Sequence, residues 1–310
     1  MHLFSNFPLR EKNSGTCFQE NKAVKACKYG RNLSESVKYS LMRKNLKSKE
    51  ESFDIHVPTN GNKLLEKILE EINSNIEIRT LWTVINVNAI ERLGMSDHGP
   101  VHFQIVANIA LRLSRLLSEA GVSMTVTKNY GLSNDYAEAI ILFGSLFHDF
   151  GMSIEREGHE EFSLIIANNI LRETLSFLPV RERTIVVSEA LHSIISHRKD
   201  GRPLTIEAGI VRVADALDMS EGRSRIPYEA GEVNIHSVSA AAIDRVEIKR
   251  GKDKPISVDI IMNNSSGIFQ IDDLLKGKVK GSGLEKYIDV SASIAAKTEK
   301  KLIDKLEFRE

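Results

Sequence analysis

Apolar spacing changes once along this chain, and the change restricts the folds open to it. From about Asn60 to Leu217, apolar residues recur three and four positions apart. Leu64, Leu65, Ile68, Leu69 and Ile72 do so, and then Leu81, Trp82, Ile85, Ala89, Ile90 and Leu93. That interval gathers them on one face of a helix. Ser96-Asp97-His98-Gly99-Pro100 reads as a turn that also starts a helix, since proline is favoured at the first helical position. The helix it opens would bury Val106, Ile109, Ala110, Leu113, Leu116 and Leu117. Further helices are expected over residues 136–149, 160–175, 182–196 and 205–217. After Pro227 the interval becomes two, in Val246-Glu247-Ile248, in Ile256-Ser257-Val258-Asp259-Ile260 and over residues 288–294. Alternation of this kind marks half-buried strands. Gly251-Lys252-Asp253-Lys254-Pro255 is a hairpin loop between the first two. Residues 267–271 read as another short strand and 295–306 as a closing helix. The fold class is therefore mainly α, with a helical bundle over residues 56–228 and a smaller α+β domain over 229–310.

Residues 1–55 lack either interval. The stretch is rich in Lys, Asn and Ser, and reads as a polar extension that is poorly ordered or peripheral. No apolar run follows Met1, so a cleaved secretory signal is not expected. Its basic character leaves a mitochondrial presequence open, although Glu11, Glu20 and Glu35 and the weak amphipathic order speak against one. Forty-two basic residues balance 42 acidic ones across the 310 residues. No whole-molecule field therefore draws in nucleic acid or anionic lipid. Cys17 and Cys27 are too few for a disulfide framework or a four-ligand zinc site, and a reducing cytoplasmic location fits them. No apolar run approaches the ~20 residues of a membrane-spanning helix.

The histidines carry the chemistry. His98, His102, His148, His159, His192 and His197 all fall within the helical block, and imidazole is the commonest transition-metal ligand. His148-Asp149 closes the apolar run Ile141-Leu142-Phe143-Gly144-Ser145-Leu146-Phe147. Burying such a pair is expensive unless each group has a partner, and one divalent cation supplies a partner for both. Adjacent helical residues diverge by ~100°. Both side chains can therefore reach one ion only from a terminal turn, and Gly151 is consistent with such an end. Asp215 repeats the logic within Ile210-Val211-Arg212-Val213-Ala214-Asp215-Ala216-Leu217.

An early helical His, then an adjacent His-Asp, then a distant Asp resembles the HD superfamily of metal-dependent phosphohydrolases. The pattern falls on His102, His148-Asp149 and Asp215. Residues 95–226 are similar in particular to the HD domain of ribonuclease Y. The likeness is carried by His197-Arg198 with its polar loop, by Val213-Ala214-Asp215-Ala216-Leu217, by Gly158-His159, and by Ser220-Glu221-Gly222-Arg223-Ser224-Arg225. Arg198 stands where that enzyme has the second His of a pair, and neither its membrane segment nor its KH module is recognised here. The Gly-Tyr-Pro of cyclic-dinucleotide phosphodiesterases is absent, with Gly201-Arg202-Pro203 standing nearby.

The resemblance implies an HD-type bundle and a divalent transition metal held by His102, His148, Asp149 and Asp215. The mixed N/O donors suit Mn, Fe, Co or Ni, with Mg possible. His159 and His197, bridged by Asp149, would hold a second ion, and His192 ranks below His197. Asp149 acts at the reacting centre. Asp97 and His98 either shape the start of the helix, support a metal ligand through a hydrogen bond, or donate a proton to the leaving oxygen. Arg198, Lys199, Arg202, Arg223 and Arg225 are candidates for substrate phosphate. The expected reaction is hydrolysis of a phosphoester in a small, nucleotide-like substrate by a homo-oligomer. A nucleotide-binding regulatory module without turnover, or an RNA phosphodiesterase, are the alternatives, and the neutral net charge does not encourage the latter. The C-terminal module shows no chemical motif and is open as a packing module, a dimerisation module or a lid.

Overall fold

The computed structural model describes residues 53–198, 200–219 and 239–294, all within one compact unit, Ser48–Glu310. Most of the 1–55 extension, both cysteines, Lys199, Arg223, Arg225 and the helix expected over 295–306 lie outside the described residues. The chain runs through α1 (Lys63–Ser74), α2 (Ile76–Asn86, continued by a π-helical turn, Val87–Arg92), α3 (Pro100–Glu119) and α4 (Thr125–Tyr130). Then come α5 (Asn134–Phe147), a 3-10 turn (Phe150–Ser153), α6 (His159–Thr174), α7 (Val180–Ser196) and α8 (Ile206–Leu217). The expected bundle, followed by a smaller α+β region, is what the chain forms.

Helix boundaries follow local chemistry. The Asn62 side chain accepts the Leu65 N–H at 3.0 Å and starts α1, which buries Leu65, Ile68, Leu69 and Ile72. Pro100 stands at the start of α3. Thr205 caps α8 by accepting the Ala208 N–H at 3.2 Å. Every residue of α5 from Ala139 to Phe147 is buried. A helix apolar on all sides belongs in the middle of a core, and α5 packs against α3, α7 and α8.

The sheet has the order β1-β2-β3. β1 (Ile243–Arg250) and β2 (Ile256–Met262) pair antiparallel through the expected hairpin, closed by Gly251 N–H to Pro255 O at 3.1 Å. β3 (Ile288–Ile294) pairs parallel to β2, with Val258 opposite Val290. The strand expected over 267–271 does not form. The chain there coils into a 3-10 turn (Ser265–Gly267), a π-helical turn (Gln270–Leu275) and α9 (Lys276–Val279). Asn264 starts this coil by accepting the Ser266 N–H at 2.8 Å. Ile271 and Leu275, four residues apart, then face the core, while Ile268 is exposed. The helical interval outweighs the brief alternation.

Arginines from the bundle help to bind this region to it. Arg112 of α3 donates from Nε to Ile248 O of β1 at 2.7 Å. Arg212 of α8 is buried and meets the need of a buried cation for acceptors. Its guanidinium donates to Lys278 O at 3.0 Å, Gly277 O at 3.3 Å, Ser196 O at 3.2 Å and also Arg198 O.

Candidate metal centre

α5 ends where its chemistry begins. Phe147 is its last residue, His148 keeps helical dihedrals, and Asp149 departs from them (φ −100°, ψ 11°). Both side chains therefore leave the unwinding turn toward one point. The following 3-10 turn lies so near the start of α6 that a Cβ on Gly151 would come within 1.9 Å of His159 O. Only glycine fits there, and its N–H donates to Ser163 Oγ at 2.7 Å, which in turn donates to His148 O at 2.6 Å. This contact brings His159 up to Asp149.

Four donor atoms converge. His102 Nε2 lies 3.2 Å from His148 Nε2, 3.8 Å from Asp149 Oδ2 and 3.7 Å from Asp215 Oδ1. His148 Nε2 lies 3.4 Å from Asp149 Oδ2 and 3.7 Å from Asp215 Oδ1. Donors ~2.1 Å from one ion at tetrahedral angles stand ~3.4 Å from each other, so these separations suit a shared cation. The ring partners fix which nitrogens are bare. His148 Nδ1 faces Ser145 O at 2.9 Å, and a carbonyl only accepts, so Nδ1 carries the proton. His102 Nδ1 faces Asp218 Oδ2 at 2.6 Å and donates to it. Both Nε2 lone pairs then point into the cluster beside two carboxylate oxygens. One proton can bridge only one pair of these atoms, whereas a cation can draw on several at once, and His102, His148 and Asp149 lie close enough together to share one.

A second group shares Asp149. Its other oxygen, Oδ1, lies 3.0 Å from His159 Nε2 and 3.6 Å from His197 Nε2. His197 donates from Nδ1 to Ile194 O at 2.6 Å, which turns its Nε2 toward Asp149. His159 Nδ1 is contested: Arg156 O at 3.0 Å and Glu160 Oε2 at 3.3 Å favour a proton there, and Arg156 Nη1 at 2.9 Å favours its absence. His148, His197 and Asp215 also lie close enough to share an ion.

Burial sets the protonation states. It pushes the His148 imidazole down to about 3, against the pull of Asp149. Burial works against charge on Asp149, yet His148, His159 and His197 hold its carboxyl well below the usual carboxylate range. Asp215 is likewise buried, and Lys278, with the surrounding imidazoles, holds it low. For His159 burial is the largest single influence and pulls the pKa down, but the Asp149 hydrogen bond together with the charges of Asp149 and Glu160 outweighs it, and its pKa rises.

A family model described as the HD domain matches residues 101–220. The uncharacterized protein MJ1020 of Methanocaldococcus jannaschii is 40% identical over 228 residues, which cover 73% of this chain and 88% of that protein. The chain belongs to the HD superfamily of metal-dependent phosphohydrolases. HD domains bind divalent metals, and His102, His148, Asp149 and Asp215 of this one all lie inside the matched span. No solved structure matches the chain.

Other residues singled out in the sequence of this HD protein have partners of their own. Asp97 Oδ1 accepts the Gly99 and His102 N–H groups at 3.0 and 3.4 Å, and Oδ2 accepts from Asn86 Nδ2 at 2.9 Å. It thereby fixes the start of α3. His98 is buried, donates from Nδ1 to Ser96 O at 2.8 Å and lies 5.7 Å from the His102 ring. His192 accepts the Leu204 N–H on Nε2 at 2.9 Å, and is absent from the donor groups. Arg198 pairs with Glu161 at 2.9 Å and Asp200 at 3.3 Å. With Arg202, His192 and Ser196 it lines an open cavity of about 440 Å³. Sequence reasoning missed Asp218, three residues after Asp215, and Lys278, whose Nζ lies 3.2 Å from Asp215 Oδ2. A second carboxylate at the end of α8 was a signal for the former; nothing local marked the latter.

Proposed function

We propose that this HD protein hydrolyses a phosphoester of a nucleotide or nucleotide-like substrate. The observation that supports it most is the pair of bare imidazole nitrogens facing each other at 3.2 Å, with two carboxylate oxygens beside them. One ion would be held by His102, His148, Asp149 and Asp215, and a second by His159, His197 and the other oxygen of Asp149. Mn, Fe, Co or Ni suits these donors, with Mg possible. When bound, the metal supplies an activated water near neutral pH and neutralises phosphoryl charge. The protein supplies the rest. Asp218 and the Ser145 carbonyl hold two imidazoles in the tautomer that leaves Nε2 bare. Asp97 positions His102 by fixing the start of α3. His98 is the candidate for moving a proton beside the site. Arg198 and Arg202, which line the open cavity, are the candidates for holding the remainder of the substrate. Lys199, Arg223 and Arg225 stay in the same proposal.

Purified full-length protein loaded with Mn²⁺ should release product from at least one member of a panel of nucleotide monoesters and diesters, and His148→Ala should abolish release. Equal behaviour of wild type and His148→Ala across the panel would overturn the reading. Stabilisation by a nucleotide with no product formed would instead identify a regulatory module. The homo-oligomeric state, the cytoplasmic location and the division into residues 56–228 and 229–310 belong to this proposal, and light scattering, fractionation and limited proteolysis check them in turn.

A further inference from the structure

We infer that Lys278, supplied by α9 beyond the matched HD span, contacts the phosphoryl group of the substrate, so that the C-terminal region furnishes one wall of the centre. The inference rests on the phosphohydrolase reading above. Lys278 Nζ donates to Asp215 Oδ2 at 3.2 Å and to His197 O. An ammonium has three N–H donors, and the third has no acceptor among the described residues. Its place relative to solvent points the same way. The side chains of His102, His148, Asp149, His159 and His197 are at most 7% exposed, whereas Asp215 and Lys278 are 15% and 17% exposed. The cluster therefore opens on the Asp215–Lys278 side, and an incoming phosphoryl group meets Lys278 there. The lysine is also held in place: Arg212 donates to its own carbonyl at 3.0 Å and to that of Gly277 at 3.3 Å. Arg198, one of the cations that the sequence offered for this role, is already engaged by two carboxylates, Glu161 and Asp200.

The test uses full-length Mn²⁺-loaded protein with inorganic phosphate as the probe, and Lys278→Gln and Lys278→Arg as variants. Glutamine keeps donors for Asp215 and the His197 carbonyl but loses the charge; arginine keeps the charge. Lys278→Gln should weaken phosphate binding in calorimetry by about ten- to a hundredfold, the usual range for losing a hydrogen bond to a charged group. Its Mn²⁺ affinity should fall by a smaller factor, and Lys278→Arg should retain most of the phosphate affinity. Unchanged phosphate affinity in Lys278→Gln would overturn the inference, as would parallel losses of phosphate and Mn²⁺, which would make Lys278 a positioning residue for Asp215 alone. Wild-type protein gives a second measurement should the variants not fold. Phosphate added to the Mn²⁺-loaded enzyme should protect Lys278 from acetylation, read by peptide mass spectrometry, and an unchanged rate would overturn the inference. Failure to bind Mn²⁺ at all would instead defeat the parent reading.

Discussion

Asp149 divides the centre into an inner and an outer half that are built to different standards. The inner half, His102 and His148 on Oδ2, lies in dry surroundings, and each ring has one clear acceptor for its Nδ1 proton. In the outer half on Oδ1, His197 is similarly fixed, but His159 has Arg156 and Glu160 competing for the same nitrogen. Donors fixed in advance lose little freedom when an ion arrives, so the inner half should bind first and tighter. The outer half must settle one proton before it can do the same.

The largest effect comes from removing what the halves share. Asp149→Ala should reduce bound Mn²⁺ to background in elemental analysis and abolish turnover. His148→Ala should empty the inner half, while His159→Ala should leave an ion there. Equal metal loss in the two histidine variants would erase the distinction between the halves. A smaller effect is expected at Asp218, which touches no ion but sets the tautomer of His102. Asp218→Asn should weaken inner-site Mn²⁺ binding by about 10- to 100-fold, the usual range for the partner of a ligating imidazole. Wild-type affinity in that variant would mean that the hydrogen bond does not prepare the ring.

The subtlest contrast lies in how the metal-free protein titrates. His148 is pushed from 6.5 to about 3 by burial, so between those values the unfolded chain holds one more proton at this residue than the folded one. This residue therefore removes stability as pH falls through that window, by about 1.4 kcal/mol per pH unit. Asp149 and Asp215, both depressed, add to the acid loss as pH falls through their folded pKa values, below the ordinary 3.8. His159 is raised, so its contribution is present below 6.5 and lost as pH rises through its folded pKa. Imidazole resonances followed by NMR should show His159 charging above pH 6.5 while His148 stays neutral well below it. Coincident titrations would remove the electrostatic part of the comparison.

The sequence disclosed most where neighbours in the chain are also neighbours in space. Helical spacing revealed the faces of α1 and α3, and alternation revealed β1, β2 and β3. His148-Asp149 was readable because an adjacent charged pair closing an apolar helix has few other uses. It was harder to see that the run over 267–271 coils, because Asn264 and the later Leu275, outside the five residues, decide it. Lys278 was out of reach for a similar reason. It lies 63 residues from Asp215, and only the packing of α9 against α8, directed by the buried Arg212, brings the two together. The role of Asp97 was weighed as helix start against chemistry, and its oxygens are engaged at the helix start.

The Arg212 clamp bears on how such proteins can be recombined. The matched family span closes at residue 220, a natural seam for grafting a different tail onto the bundle. Yet a graft at that seam would strip the guanidinium of two carbonyl acceptors, Gly277 O and Lys278 O, and discard the cation beside Asp215. This bundle therefore does not accept any tail: a viable hybrid must bring its own hydrogen-bond acceptors for Arg212 and its own charge for Asp215.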